Sequence, residues 1–268
     1  MRDLLPRTIT AIVAIAIVVM TLIVGWAWRS VWPVAVLGAF VAGVASWEYA
    51  QLLERNGIVL NRFAFVGSAV LVILVYGASE AALGELVLWA VLVFPVALYL
   101  FDPDALRKIL ATMGGIIYIP YLLHFFYPLY RADALYGLLA LVLVWGYDIG
   151  AYVAGSTWGR SLLAPTISPR KSWEGVAGGF LLSLTVAAVA PIWRNWWAAW
   201  PHMIALAGIT SALTQLGDLL ESRLKRLAQV KDTGGLMPGH GGVLDRIDGL
   251  LLAIPAIYFY FRFVLKWV

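Results

Sequence analysis

Apolar runs close to 20 residues long recur along the whole chain, and a soluble core has no room for so many. About 20 residues of helix suffice to cross a bilayer core of about 30 Å. The runs are Thr8–Trp26, Val31–Leu52, Phe63–Tyr76, Ala81–Leu100, Ile109–Pro128, Ala134–Val153, Glu174–Trp193, Met203–Leu220 and Gly249–Trp267. They predict an all-α, polytopic membrane protein with about nine transmembrane helices, the third being the shortest. A β-barrel would show short alternating segments, and these runs do not alternate. Composition agrees, at 62% hydrophobic and 13% charged; a soluble domain has about 45–50% and about 25%.

The first run is longer than a signal-peptide core of about 7–15 residues and no small-x-small site follows it, so a retained helix is expected. Cysteine is absent, which excludes disulfides and thiolate metal sites and leaves the compartment to topology. With nine spans and the N-terminus inside, 14 of the 19 Lys and Arg residues fall on inside segments and 5 on outside ones. The positive-inside rule then predicts a cytoplasmic N-terminus in a multi-pass protein of the cell's inner (plasma) membrane.

Charge divides the chain unevenly. Residues 1–133, with 8 basic and 8 acidic side chains, read as an N-terminal transmembrane scaffold. Residues 134–268, with 11 basic and 7 acidic, read as a C-terminal transmembrane catalytic region. In the first half Trp26, Trp28, Trp32, Trp47 and Trp89 lie near span ends, as interfacial aromatics do. Glu48 has two readings: a functional intramembrane carboxylate, or a solvated acid near Arg55. His124 and His202 stand alone and read as interfacial or structural.

In the second half a polar island runs from Asp218 to Asp248, and charges so dense in an oily chain are costly to desolvate. Two further clusters fall on the same predicted side. One is Asp148 within Trp145–Tyr152; the other is Ser168-Pro169-Arg170-Lys171-Ser172-Trp173-Glu174-Gly175, ending a loop and opening the seventh span. If the eighth helix continues past Leu220, Asp218, Glu221, Ser222 and Lys225 share one face. Asp245 and Asp248 would share a face where the ninth helix starts. Oxygen ligands from neighbouring helix ends favour magnesium, which takes one or two carboxylates and leaves other positions to water and phosphate. No histidine or cysteine set suits zinc.

Between these carboxylates, Pro238-Gly239-His240-Gly241-Gly242 would let backbone amides approach an anion, with a flexible turn as the other reading. Lys225, Arg226, Lys231 and Arg246 flank the three aspartates as phosphate ligands, although a solvated inside-positive loop accounts for one or two of them. Gly155–Ser161 lacks both the spacing and the lysine of a phosphate loop.

The pattern Ser222, Lys225-Arg226, Lys231-Asp232, Gly234, Pro238, His240-Gly241-Gly242 and Asp245-Arg246-Ile247-Asp248 resembles the signature of the phosphatidate cytidylyltransferases, or CDP-diacylglycerol synthases. Asp148-Ile149-Gly150-Ala151-Tyr152 and Ser168–Gly175 resemble that family's upstream motifs, so the likeness covers most of residues 145–250. Met237 replaces a branched or aromatic apolar residue and Ile149 a small hydroxyl; neither change removes a charged group.

The resemblance implies transfer of CMP from CTP to phosphatidic acid, giving CDP-diacylglycerol and pyrophosphate, at an active site facing the cytoplasm. It implies Asp218, Asp245 and Asp248 as Mg2+ ligands, Asp148 as a further one, and Lys225 with the three aspartates as the catalytic set. Substrate binding would fall to Ser222, Arg226, Lys231, Asp232, His240, Gly241, Gly242 and Arg246, with Arg170 and Lys171 on the lipid headgroup. A second cation such as K+, surrounding membrane lipids and a homodimer are also implied; a nucleic-acid partner is not. The nearest rival is a related CTP-dependent polyprenol kinase. An ion-coupled transporter using Glu48, Asp148 and Asp218 would leave the basic, glycine-rich loop without a purpose.

Overall fold

The computed structural model describes residues 4–78, 81–194, 200–236 and 241–267. Its helices are α1 Leu4–Ala27, α2 Trp32–Arg55, α3 Arg62–Ala78, α4 Ala81–Tyr99, α5 Ala105–Ile116, α6 Leu122–His124, α7 Phe126–Ala132, α8 Ala134–Trp158, α9 Trp173–Arg194, α10 Trp200–Leu227 and α11 Leu244–Phe259. Among the described residues eight helical stretches are long and apolar enough to cross a membrane, and α3, with 17 residues, is a shorter apolar helix. The protein is an all-α, multi-pass membrane protein, as its apolar runs predict.

Three spans differ from expectation in detail. The fifth runs through a π-helical turn, Ile117–Tyr121, that contains Pro120. Proline lacks the donor for the preceding turn and its ring crowds the carbonyl four residues back, so the ladder widens there. The ninth span starts at Leu244 rather than Gly249, which places both Asp245 and Asp248 in its opening turns. The eighth, α10, runs 28 residues to Leu227. At about 42 Å it is longer than a bilayer core, so its polar final turns reach past the apolar layer.

The only sheet among the described residues is a short antiparallel hairpin, β1 Leu162–Ala164 with β2 Ser168–Ser172, pairing Leu162 with Ser172 and Ala164 with Ser168. Ser172 ends β2 and caps α9: its hydroxyl oxygen accepts from the Gly175 amide at 3.1 Å.

The chain packs as two compact units, Met1–Tyr127 with Leu224–Ile247, and Pro128–Arg223 with Asp248–Val268. Residues 224–247 of the polar island therefore pack with the N-terminal helices. In the first unit α2 and α3 meet through small residues. Ala35, Ala42, Ala45 and Ala69 are fully buried, and a side chain on Gly77 would collide with Ala35. Lipid tails are as apolar as the helices, so close backbone approach and dispersion replace hydrophobic exclusion as the packing force.

The second unit uses the same device twice. Along α8, Gly150 and Ala154 face Gly178 of α9, where any larger side chain would strike the opposing backbone or Ala154. This contact brings the hairpin and the α9 start against the end of α8. A second close approach joins α10 to α11. A Cβ on Gly217 would collide with the Asp248 carbonyl oxygen, and one on Gly249 would lie 2.6 Å from Thr214 Cγ2.

Candidate active site

In the second unit, that helix crossing sets three carboxylates together. One ligand oxygen from each of Asp218, Glu221 and Asp248 lies within 4.8 Å of the other two. Asp218 and Glu221 are three residues apart on α10, hence on one face, and α11 supplies Asp248. Glu221 is fully buried, while Asp218 and Asp248 are partly exposed. The Ser222 hydroxyl donates to Asp218 Oδ1 at 3.3 Å, and the Gly249 amide donates to Asp248 Oδ1 at 2.8 Å.

The hairpin adds a cation. Lys171 Nζ stands 2.5 Å from Asp218 Oδ2, with the lysine side chain 17% exposed. The neighbouring Arg170 is exposed. The Glu174 carboxylate accepts from the backbone amides of Arg160 and Ser161, each at 3.2 Å, and so ties the hairpin's entrance to the first turn of α9. Asp148 lies on α8 with an exposed side chain.

The donor set fits magnesium. It is all oxygen, and one lysine offsets only part of the charge of three carboxylates. Octahedral Mg2+ at about 2.0–2.1 Å holds its ligand oxygens about 3–4 Å apart, comparable to this grouping.

The first unit carries a second polar arrangement. Lys225 Nζ donates to Asp245 Oδ1 at 2.7 Å, and the Asp245 side chain is only 4% exposed. Asp245 Oδ2 accepts from the Gly242 amide at 2.7 Å, the Thr233 amide at 3.0 Å and the Thr233 hydroxyl at 3.0 Å. Asp245 thus gathers Thr233 and Gly242 on one carboxylate oxygen. Gly241 has φ +78°, a left-handed conformation that a side chain would strain, and a Cβ there would lie 2.6 Å from Asp245 Oδ2. Arg226, Lys231, Asp232 and Arg246 are exposed around this loop. Met237–His240 lie outside the described residues, His240 among them.

The sequence-derived residues therefore fall into two groups. Lys171, Asp218, Ser222 and Asp248 come together in the second unit. Lys225, Gly242 and Asp245 come together in the first. Sequence reasoning places Glu221 on the shared face but does not count it as a ligand. The signal is its position one turn after Asp218 on a helix that continues past Leu220. Glu48 is not a solvated acid: it is 3% exposed, its carboxylate accepts from the Val243 and Leu244 amides, and the Thr233 hydroxyl lies 3.1 Å from it.

Comparisons with known proteins agree with this chemistry. The model of the Cytidylyltransferase family matches residues 5–264, nearly the whole chain. The chain is 38% identical over 189 residues to a phosphatidate cytidylyltransferase of Haemophilus influenzae, covering 67% of this chain and 66% of that one. It is 40% identical over 147 residues to one of Bacillus subtilis, covering 53% and 54%. These two alignments thus span less than two thirds of the relatives' lengths. A third relative, from Pseudomonas aeruginosa, is 36% identical over 233 residues, covering 82% of this chain and 83% of its own. Grouped carboxylates, an adjoining lysine and a family model spanning residues 5–264 lead to one assignment: the chain belongs to the cytidylyltransferase family.

Proposed function

We propose that the chain transfers CMP from CTP to phosphatidic acid in phospholipid biosynthesis, forming CDP-diacylglycerol and pyrophosphate. The observation that carries this reading is the grouping of Asp218, Glu221 and Asp248 beside Lys171, in a chain matched throughout by the cytidylyltransferase model. A phosphate oxygen of phosphatidic acid attacks the α-phosphorus of CTP. The new P–O bond forms as the bond to the bridging β-phosphate oxygen breaks, and pyrophosphate leaves with that electron pair.

A phosphomonoester's second pKa is about 6, so the nucleophile is already anionic near neutral pH and needs no strong base. The difficulty is joining two polyanions. Magnesium, held by Asp218, Glu221 and Asp248, would neutralise phosphate charge and orient the reacting oxygens. Lys171 is ion-paired with Asp218 and has N–H donors to offer the lipid headgroup, with Arg170 exposed beside it. Lys225, Arg226, Lys231 and Arg246, with the Gly241 amide, bind the triphosphate. Asp245 keeps Lys225 and the glycine segment in place. Asp148, on α8, stands as a further ligand of this proposal. The excess of Lys and Arg on one set of loops supports a site facing the cytoplasm, where CTP is.

Purified protein supplied with CTP, phosphatidic acid and Mg2+ is expected to yield CDP-diacylglycerol and pyrophosphate in equal amounts, and none after chelation. Phosphorylation of a polyprenol without CDP-diacylglycerol would overturn the reading. Lys171→Ala is expected to raise the apparent KM for phosphatidic acid by about tenfold or more, since a charge-assisted contact is lost. A rise for CTP alone would remove the headgroup assignment.

A further inference from the structure

Glu48 belongs to α2 in the N-terminal scaffold, far in sequence from every residue of the polar island, yet its carboxylate is wholly engaged there. Oε1 accepts from the Val243 amide at 3.0 Å. Oε2 accepts from the Leu244 amide at 2.8 Å and lies 3.1 Å from the Thr233 hydroxyl. Val243 and Leu244 open α11, so the two amides are among the donors that a helix start leaves without intrahelical partners. A carboxylate satisfies them and also meets the positive end of the helix dipole.

The backbone around it is cut to fit. A Cβ on Gly234 would collide with Glu48 Oε1, and one on Gly242 would collide with Glu48 Oε2 and the Thr233 hydroxyl. Two glycines of the sequence signature are therefore required by the space that Glu48 occupies. Thr233 completes the link. Its hydroxyl lies 3.1 Å from Glu48 Oε2 and 3.0 Å from Asp245 Oδ2, and its amide donates to Asp245. Glu48, Thr233, Gly242 and Asp245 form one connected network that ends on Lys225.

We infer that Glu48 is a positioning residue for the triphosphate: from α2 it holds the start of α11, together with Thr233 and Gly242, in the arrangement that presents Lys225 and the Gly241 amide. It touches no substrate. This inference rests on the proposed CTP reaction for its kinetic consequence but not for its structural one.

Three variants and two measurements test it. In Glu48→Gln the side chain keeps its size, but one acceptor becomes a donor that faces the Leu244 amide. Hydrogen exchange in detergent is expected to show the Val243 and Leu244 amides protected in the wild type and exposed at least about tenfold more often in Glu48→Gln. Gly234→Ala, which pushes the carboxylate away without altering it, is expected to do the same. In turnover assays both variants are expected to raise the apparent KM for CTP about tenfold while leaving that for phosphatidic acid unchanged, with Glu48→Asp recovering part of the loss. A clamp that only stabilises the fold would lower the amount of folded enzyme and leave both KM values as they were; that result overturns the inference. Unchanged amide exchange in Glu48→Gln overturns it as well, whatever the assay shows. Wild-type protein that makes no CDP-diacylglycerol defeats the proposed reaction instead, and the exchange experiment still decides the clamp.

Discussion

Asp248→Asn is expected to lower CDP-diacylglycerol formation by on the order of 10²–10³-fold while the protein remains folded. The amide matches the carboxylate in shape and keeps an oxygen to accept from the Gly249 amide, so the α11 backbone has no reason to move. What disappears is one of the three negative charges gathered within 4.8 Å. Asp218→Asn is expected to behave alike, and it additionally loosens the Lys171 ion pair. Glu221→Gln distinguishes a three-carboxylate site from a two-carboxylate one, because its side chain is fully buried and sees little solvent to compensate. Product formation at saturating substrates, measured beside thermal unfolding, checks all three. Wild-type rates in Asp218→Asn and Asp248→Asn would end the metal assignment.

Gly217→Ala is expected to be nearly as damaging although it removes no chemical group. The added methyl would collide with the Asp248 carbonyl oxygen and sit 3.0 Å from its carbonyl carbon and 3.1 Å from Gly249 Cα. All three are backbone atoms of α11, which cannot swing aside as a side chain does. The helices must separate, which carries Asp248 away from Asp218 and Glu221. A misplacement of about 1 Å at a reacting centre costs about 10²-fold in rate, and overpacking costs about 1–3 kcal/mol in stability. The expected signature is a fall in kcat that exceeds any fall in the amount of folded protein, with a higher magnesium concentration needed for half-maximal activity. An alanine variant with wild-type magnesium dependence would show that the crossing does not set the carboxylate spacing.

Much of this arrangement is legible in the chain before any coordinates. Helix length and hydropathy are local properties, so the eight long apolar helices emerge directly, and the third run emerges as a shorter apolar helix. The α10 face is also local: once the helix runs past Leu220, spacing alone puts Asp218, Glu221 and Ser222 side by side. Partnerships between elements are not local. Asp245 and Asp248 look equivalent in sequence, three residues apart and both acidic, yet Asp245 is taken up by Lys225, Thr233 and Gly242 whereas Asp248 joins Asp218. One helical turn separates those two fates, and only the packing of neighbours decides between them. Glu48 is harder still, since its partners lie almost two hundred residues away and include backbone amides, which no residue pattern advertises. The hairpin at Leu162–Ser172 escapes for a different reason: two strands of 3 and 5 residues are too short for alternation to stand out.

The brevity of α3 has a consequence for the surrounding lipid. Its 17 residues extend about 26 Å, less than the usual hydrocarbon thickness of about 30 Å. Phe63 and Leu71 point outward from it, so acyl chains meet this helix directly. The surrounding leaflets must pinch inward by a few ångströms or leave its ends in hydrocarbon, at a cost of a fraction of a kcal/mol per Å. Vesicles of shorter-chain lipid would relieve that mismatch, so activity is expected to depend on the thickness of the sheet in which the protein sits.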